Sequence, residues 1–332
     1  MANESTLIDK IATLAEESSF PKTLPPTNGT KLLELRDAGI VIAEGATEVK
    51  PASIRASASF QRQFTGTFAP SAELPCYGLS QGLVPMLMKA LLGQATSAQQ
   101  IAPDTGTYKH EIRVLEDIPY GKSKGLSLQA KLSSGKVFDM VDSVVDRMVA
   151  DYAPNQELHL NFFLEGRLTQ ASAATLASLT APVQAPLKFS QLTFTVGGVS
   201  REISALNFEI NNNYAKDIFA NSDKRLKFLR GGHREVVGSF TFPFVDSVVY
   251  GLYDNWREGT GAELVAKFEG VLVQTNFKYT IQFKFPNVRY AFENIPGGGG
   301  ADLPDGPVPF VALETSNQKE IEIDVINDEA SV

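Results

Sequence analysis

The chain reads as mainly β, with two tandem antiparallel β-sandwich or barrel domains and one flanking α-helix in each. Three observations carry this reading. Runs of period-2 alternation, the mark of half-buried antiparallel strands, recur along most of the 332 residues. Two segments with helical spacing interrupt them. The order of strands and helix in the first half also returns in the second, as an internal duplication would produce.

Taken in order, residues 3–18 have Leu7, Ile8, Ile11 and Leu14 on one helical face and are expected to form a short amphipathic helix. Pro21, Pro25 and Pro26 then break the chain, so residues 1–50 read as an arm or linker. The first domain is assigned to 51–170. Its elements are "SIRASASFQRQF", "LPCYGLS", a helix at "GLVPMLMKALL", "YKHEIRVLE", "GLSLQAKL", an irregular stretch and "ELHLNFFLEG". In the last strand Leu158, Leu160, Phe162 and Leu164 face one way, and Glu157, His159, Asn161 and Phe163 the other. An Ala-, Ser-, Thr- and Pro-rich linker spans 171–186. The second domain, 187–328, offers the matching series: "EISALNFEIN", a longer loop, "REVVGSFTFPF", a helix at "DSVVYGLYDNWR", "ELVAKFEG", "YTIQFKF", an irregular stretch and "KEIEIDVI".

Composition narrows the function. Hydrophobic residues make up 43% and charged residues 20%, which is globular. The formal net charge of −8 disfavours nonspecific grip on nucleic acid or anionic membrane. The N-terminus has no basic and apolar leader pattern, and no apolar run reaches the roughly 20 residues of a membrane helix. The protein is therefore expected to be made in the cytoplasm without a membrane partner. Cys76 is the only cysteine, so no intrachain disulfide forms.

No catalytic constellation, metal site or cofactor motif emerges. His110, His159 and His233 lack metal-ligand spacing, and Cys76 has no partner cysteine. Gly297–Gly300 is not followed by the Lys-Ser/Thr pair of a phosphate loop, and Pro304 and Pro307 oppose a helix there. Lys224, Arg225, Lys227 and Arg230 beside Phe228 imitate a nucleic-acid patch, but in an acidic chain they fit a loop that meets an acidic copy of itself. What stands out is the run Asn211-Asn212-Asn213-Tyr214, which ends a regular strand with residues that tolerate left-handed corners.

The segments "ISALNFEINNNY", "GGHREVVGSFTFPFVDSVVYGLYDNW" and "IQFKFPNVRY" resemble the tail tube proteins of long-tailed bacteriophages. The first half resembles them more faintly, through "SIRASASFQRQF" and "GLVPMLMKALLG", so the likeness spans most of 50–328. It implies a structural, non-enzymatic subunit of the virion tail, with two tail-tube-like domains and no cofactor. Subunits would close into rings, stack, and surround a channel through which double-stranded DNA passes without specific binding. A tandem duplication implies a trimer with pseudo-sixfold symmetry. The implied partners are further copies of the chain and the tape-measure, terminator and distal tail proteins.

Under this resemblance Asn211, Asn212, Asn213, Tyr214, Lys224, Arg225, Lys227 and Arg230 belong to an arm that contacts a neighbouring subunit, or alternatively to a loop folded on its own domain. Glu157, His159, Asn161, Asn207, Glu209, Glu235, Ser239, Glu320, Glu322 and Asp324 are candidates for the lumen. A terminator, neck or baseplate-hub ring of the same fold is a second reading. A β-sandwich carbohydrate-binding module is a distant third, opposed by Trp256, the single Trp, sitting among core spacings on a helix.

Overall fold

The computed structural model describes residues 11–21, 29–36, 40–46, 48–49, 64–131, 136–171, 176, 179–215, 218–219, 224–225, 227–243, 247–292 and 306–332. The principal strands are β1 (Ile11–Glu17), β2 (Val41–Ala43), β3 (Ser71–Tyr77), β4 (Tyr108–Val114), β5 (Gly125–Lys131), β6 (Val137–Tyr152), β7 (His159–Glu165) and β8 (Leu168–Ala171) in the first half. The second half contributes β9 (Leu192–Val196), β10 (Ala205–Asn211), β11 (Glu235–Phe242), β12 (Ala262–Leu272), β13 (Lys278–Tyr290), β14 (Gly306–Ala312) and β15 (Glu322–Asn327). Helix α1 (Val84–Leu92) follows β3, and α2 (Ser247–Glu258) follows β11. All pairings among these strands are antiparallel, and they join into one barrel-type sheet system. The mainly β fold expected from the alternation is what forms.

The two halves use one pattern of pairing. In the first, β1 pairs with β5, β5 with β6, β6 with β7 and β8, β7 with β3, and β3 with β2. In the second, β9 pairs with β12, β12 with β13, β13 with β14 and β15, β14 with β11, and β11 with β10. The pattern aligns different segments from those matched by sequence order. β5 corresponds to β12 and β6 to β13, whereas β4 has no counterpart. Two ladders sew the halves together. Arg147–Tyr152 of β6 pairs with Leu206–Asn211 of β10, and β15 pairs with β4.

Three expectations about local structure fail for physical reasons. Ile11–Glu17 is a strand and not part of a helix, because the edge of β5 supplies a full ladder from Ile11↔Lys131 to Glu17↔Gly125. Tertiary pairing there overrides a weak helical period. The stretch before "ELHLNFFLEG" is not irregular but contains the 16-residue β6. Its period-2 signal is broken by register shifts between Met140 and Ser143 and between Val145 and Arg147, with Asp142 at φ 53°. Such bulges move later side chains to the other face. The stretch before "KEIEIDVI" contains β14, hidden by Pro307 and Pro309. Its ladder with β13 begins at Phe310, and Pro309 meets that side only through its carbonyl, which accepts from Ala291 N–H at 3.0 Å, so its missing N–H is not needed there. The expected strand 53–64 lies largely outside the described residues, as do the loop 297–300 and part of the linker 171–186. Within that linker Gln184 is buried and accepts from Ser80 N–H and Oγ, both at 2.8 Å.

One apolar core runs through both halves. Tyr152 of β6 meets Phe268 of β12 edge-on at 4.7 Å, and Phe208 of β10 meets Phe283 and Phe285 of β13 at 4.9 and 5.2 Å. α1 is buried nearly all round, as "VPMLMKALL" requires, whereas in α2 only Val249 and Leu252 are buried.

β1 is pinned to this body by Glu16, which accepts from Lys89 Nζ (2.8 Å), Lys124 Nζ (2.6 Å) and Tyr120 OH (3.0 Å). Burial opposes its ionisation, but the two ammonium groups outweigh it and hold the carboxyl below its ordinary 4.5. A depressed folded-state pKa adds stability that is present above the unfolded value and is lost as pH falls through the folded one. Glu16→Gln is therefore expected to lower stability at pH 7 and to flatten its decline below pH 4.5, measured as urea midpoints across pH.

Candidate functional site

β10 ends at Asn211, and the chain turns through Asn213, whose φ of 51° is left-handed. Each asparagine side chain is occupied. Asn211 Oδ1 accepts from Asn213 N–H at 3.0 Å, and Asn213 Nδ2 donates to His233 O at 2.8 Å. Asn212 is fully buried. Its Nδ2 donates to Leu91 O in the last turn of α1 (2.9 Å) and to Val145 O of β6 (3.1 Å), and its Oδ1 accepts from Arg234 Nε (2.8 Å). A small amide offers two donors and an acceptor, which this junction of helix, strand and arginine uses in full. Arg234 is itself buried and paired with Glu320 at 2.9 Å.

Beyond the corner, Tyr214–Ala215 pairs with Leu229–Arg230 as a two-stranded ribbon. Of the described residues it frames, Arg225 and Phe228 lie on the first half of the same chain. Arg225 is 3% exposed, and its Nη1 donates to Pro70 O (3.1 Å), Gly166 O (3.0 Å) and Glu165 Oε2 (2.9 Å). Phe228 is buried against Phe20 and Tyr214, with ring centroids 6.4 Å away in each case. Lys224 bridges to Phe68, Arg230 pairs with Glu116 at 3.6 Å, and Lys227 is exposed. Sequence reasoning named this run but missed its receptors, Leu91 O, Val145 O, Pro70 O and Gly166 O. They are backbone carbonyls whose nearness depends only on topology.

The candidate lumen residues fall mostly on one surface. Register places Tyr77, His159, Asp151, Asn207 and Ser239 in one row, and Asn161, Val149, Glu209 and Val237 in the next. Phe163, Arg147, Asn211 and Glu235 form a third. These side chains alternate with buried ones, so they share the open face of the sheet. Glu322 and Asp324 lie opposite Lys284 and Gln282 of β13, again away from the core. Glu157 precedes β7, bridged to Lys188, and Glu320 is buried with Arg234.

Four cations on the outward side of the sheet are held by carboxylates, whereas Arg289, in register with Val311 and Val237, has no carboxylate partner among the described residues. Arg147 pairs with Glu209 (3.7 Å), Arg113 with Asp324 (2.7 Å), Lys109 with Glu111 (2.8 Å) and Asp324 (3.0 Å), and Lys284 with Glu263 (3.2 Å). Cys76 is buried, and burial pushes its thiol above its ordinary range, which disfavours the reactive thiolate. No three His, Cys, Asp or Glu among the described residues gather to hold a metal. Trp256 is not a core residue as its spacing suggested. It is 37% exposed, beside Tyr253 and Phe292 at 5.3 and 6.2 Å.

Asn212→Leu keeps the branching of the side chain but leaves Leu91 O, Val145 O and Arg234 Nε without their partner. A loss of about 1–3 kcal/mol is expected for each buried group left unsatisfied. Urea unfolding of the variant against the parent chain measures it.

Comparison with known proteins agrees with this architecture. The family model described as "Phage tail tube protein" matches residues 10–312. No curated protein shows significant similarity to the chain. A match over nearly the whole chain, on a mainly β body with a long polar sheet face, places this protein in the phage tail tube family.

Proposed function

We propose that the chain is a tube subunit that closes into stacked rings, each chain supplying two equivalent units, so that three chains give a pseudo-sixfold ring. Membership of the family already makes it a structural component of the virion tail that self-assembles into a tube. The observation that carries the finer reading is the sheet that crosses from one half to the other through β6·β10 without interruption. Strand pairing repeated in both halves supports two ring positions per chain.

The polar face of that sheet is the proposed channel wall. Free Lys and Arg would release counterions from DNA and hold it. Arg113, Lys109, Lys284 and Arg147 are instead neutralised by neighbouring carboxylates, which suits a duplex that must slide. Genomic DNA is the proposed passenger, and tape-measure, terminator and distal tail proteins are the proposed partners. Assembly is proposed to occur in the host cytoplasm, for a noncontractile siphophage tail.

Negative-stain electron microscopy of the purified protein over a concentration series tests this. Hollow tubes with a regular axial repeat are expected, and averaged end views should show three chains per ring. Discrete rings that never stack would indicate a terminator or hub. A protein that stays monomeric even with tail-initiation proteins would overturn the reading.

A further inference from the structure

We infer that the corner Val41–Gly45 of one copy seats against the C-terminal turn of α2 and the end of β13 in a second copy, repeating the contact that joins the two halves within one chain. This rests on the tube reading above and specifies which surfaces meet.

The internal contact is the template. β10 pairs with β11 on one side, turns at a left-handed residue two positions past its end, and continues into a two-stranded ribbon. Its other edge is taken by β6, and Asn212 at its corner reaches the last turn of α1. The first half builds the same device. β2 pairs with β3, Gly45 lies two positions past its end with φ 56°, and Glu48–Val49 then pairs with Phe64–Thr65. Yet no strand among the described residues takes the other edge of β2. Val41 is 56% exposed there, and Glu44, the counterpart of Asn212, is exposed. An unpaired strand edge with an exposed aliphatic residue is a natural site for strand addition.

The receiving surface is also duplicated. Both helices end in a left-handed glycine, Gly93 at φ 109° and Gly259 at φ 68°. The last turn of α1 is buried and receives Asn212, whereas the last turn of α2 is exposed. That end of α2 presents Trp256 against Phe292, with Tyr253 between them, just past the end of β13. Aromatic residues and arginine are the common anchors of protein interfaces. Arg257 is exposed on the same turn, and the Arg289 guanidinium lies so close to Gly259 that an added Cβ there would sit 3.4 Å from it. Among the described residues neither arginine has a carboxylate partner, and Glu44 has no cation. The seat offers the Arg257 and Arg289 guanidinium groups to Glu44, with Asp254 and Glu258 exposed on the same helix end, and the repeat of the internal contact selects a second copy of this chain as the occupant. The two surfaces differ, so the contact is head-to-tail and propagates until a ring closes.

Charge reversal in the full chain tests the match. Glu44→Arg alone, and Arg257→Glu with Arg289→Glu alone, each set like charges across the junction. Each is expected to raise the concentration needed for assembly by about tenfold or more, read by mass photometry and light scattering. Combining all three substitutions in one chain is expected to restore assembly, whereas mixing the two variants leaves one like-charge contact in every ring of three. Loss of fold cannot produce that rescue. Reversal variants that assemble like the parent, or a combined variant that stays monomeric while the parent assembles, would overturn this inference and leave the tube reading intact. A parent chain that never oligomerises would overturn both.

Discussion

The ladder between Arg147–Tyr152 and Leu206–Asn211 is the constraint on which the other features depend. It sets the register between the halves, and with it which side chains share the open face. A slip of one residue would turn Asn207, Glu209 and Asn211 toward the core and expose Leu206, Phe208 and Ile210. The aromatic packing of Phe208 on Phe283 and Phe285 opposes such a slip. So does Asn212, which fits its two carbonyls and one guanidinium only at the observed register.

The halves share a pairing plan but not a surface. The first half inserts Gly93–Val114 after its helix, and β4 within that insert closes onto β15. In the second half only three residues separate the end of α2 at Glu258 from β12 at Ala262. The helices follow suit. "VPMLMKALL" has no polar face to turn outward apart from Lys89, which is occupied by Glu16. "SVVYGLYDNWRE" places Ser247, Asp254 and Glu258 outward. The two halves thus share a strand-pairing pattern but differ in their helices, α1 buried within the chain and α2 partly exposed.

Much of this was legible in the sequence, and the limits were physical. Alternation in "ELHLNFFLEG" identified both faces of β7, because that strand has no bulge and one side is core. The asparagine run was visible as a corner because residues that tolerate φ > 0 are few. β6 escaped notice because its bulges reset the period twice, and β14 because proline is read as a strand breaker. The strand character of Ile11–Glu17 depends on an edge supplied more than a hundred residues later, which no local window contains. The same limit hid the carbonyls around Asn212 and Arg225, since a backbone oxygen leaves no mark on residue identity. Exposure of Trp256 depends on how α2 lies on β13, which its spacing alone does not reveal.

The β4·β15 ladder has a consequence for how the protein is made. Arg113 reaches Ile323 across 210 residues of chain, so the sheet acquires this rung only when β15 has left the ribosome. Pairings so distant in sequence slow folding, because loop closure precedes the contacts that reward it. Until then β4 is an uncapped edge, open to aggregation. A chain cut short before Glu322 would keep that edge exposed, which makes β15 the checkpoint for this part of the fold.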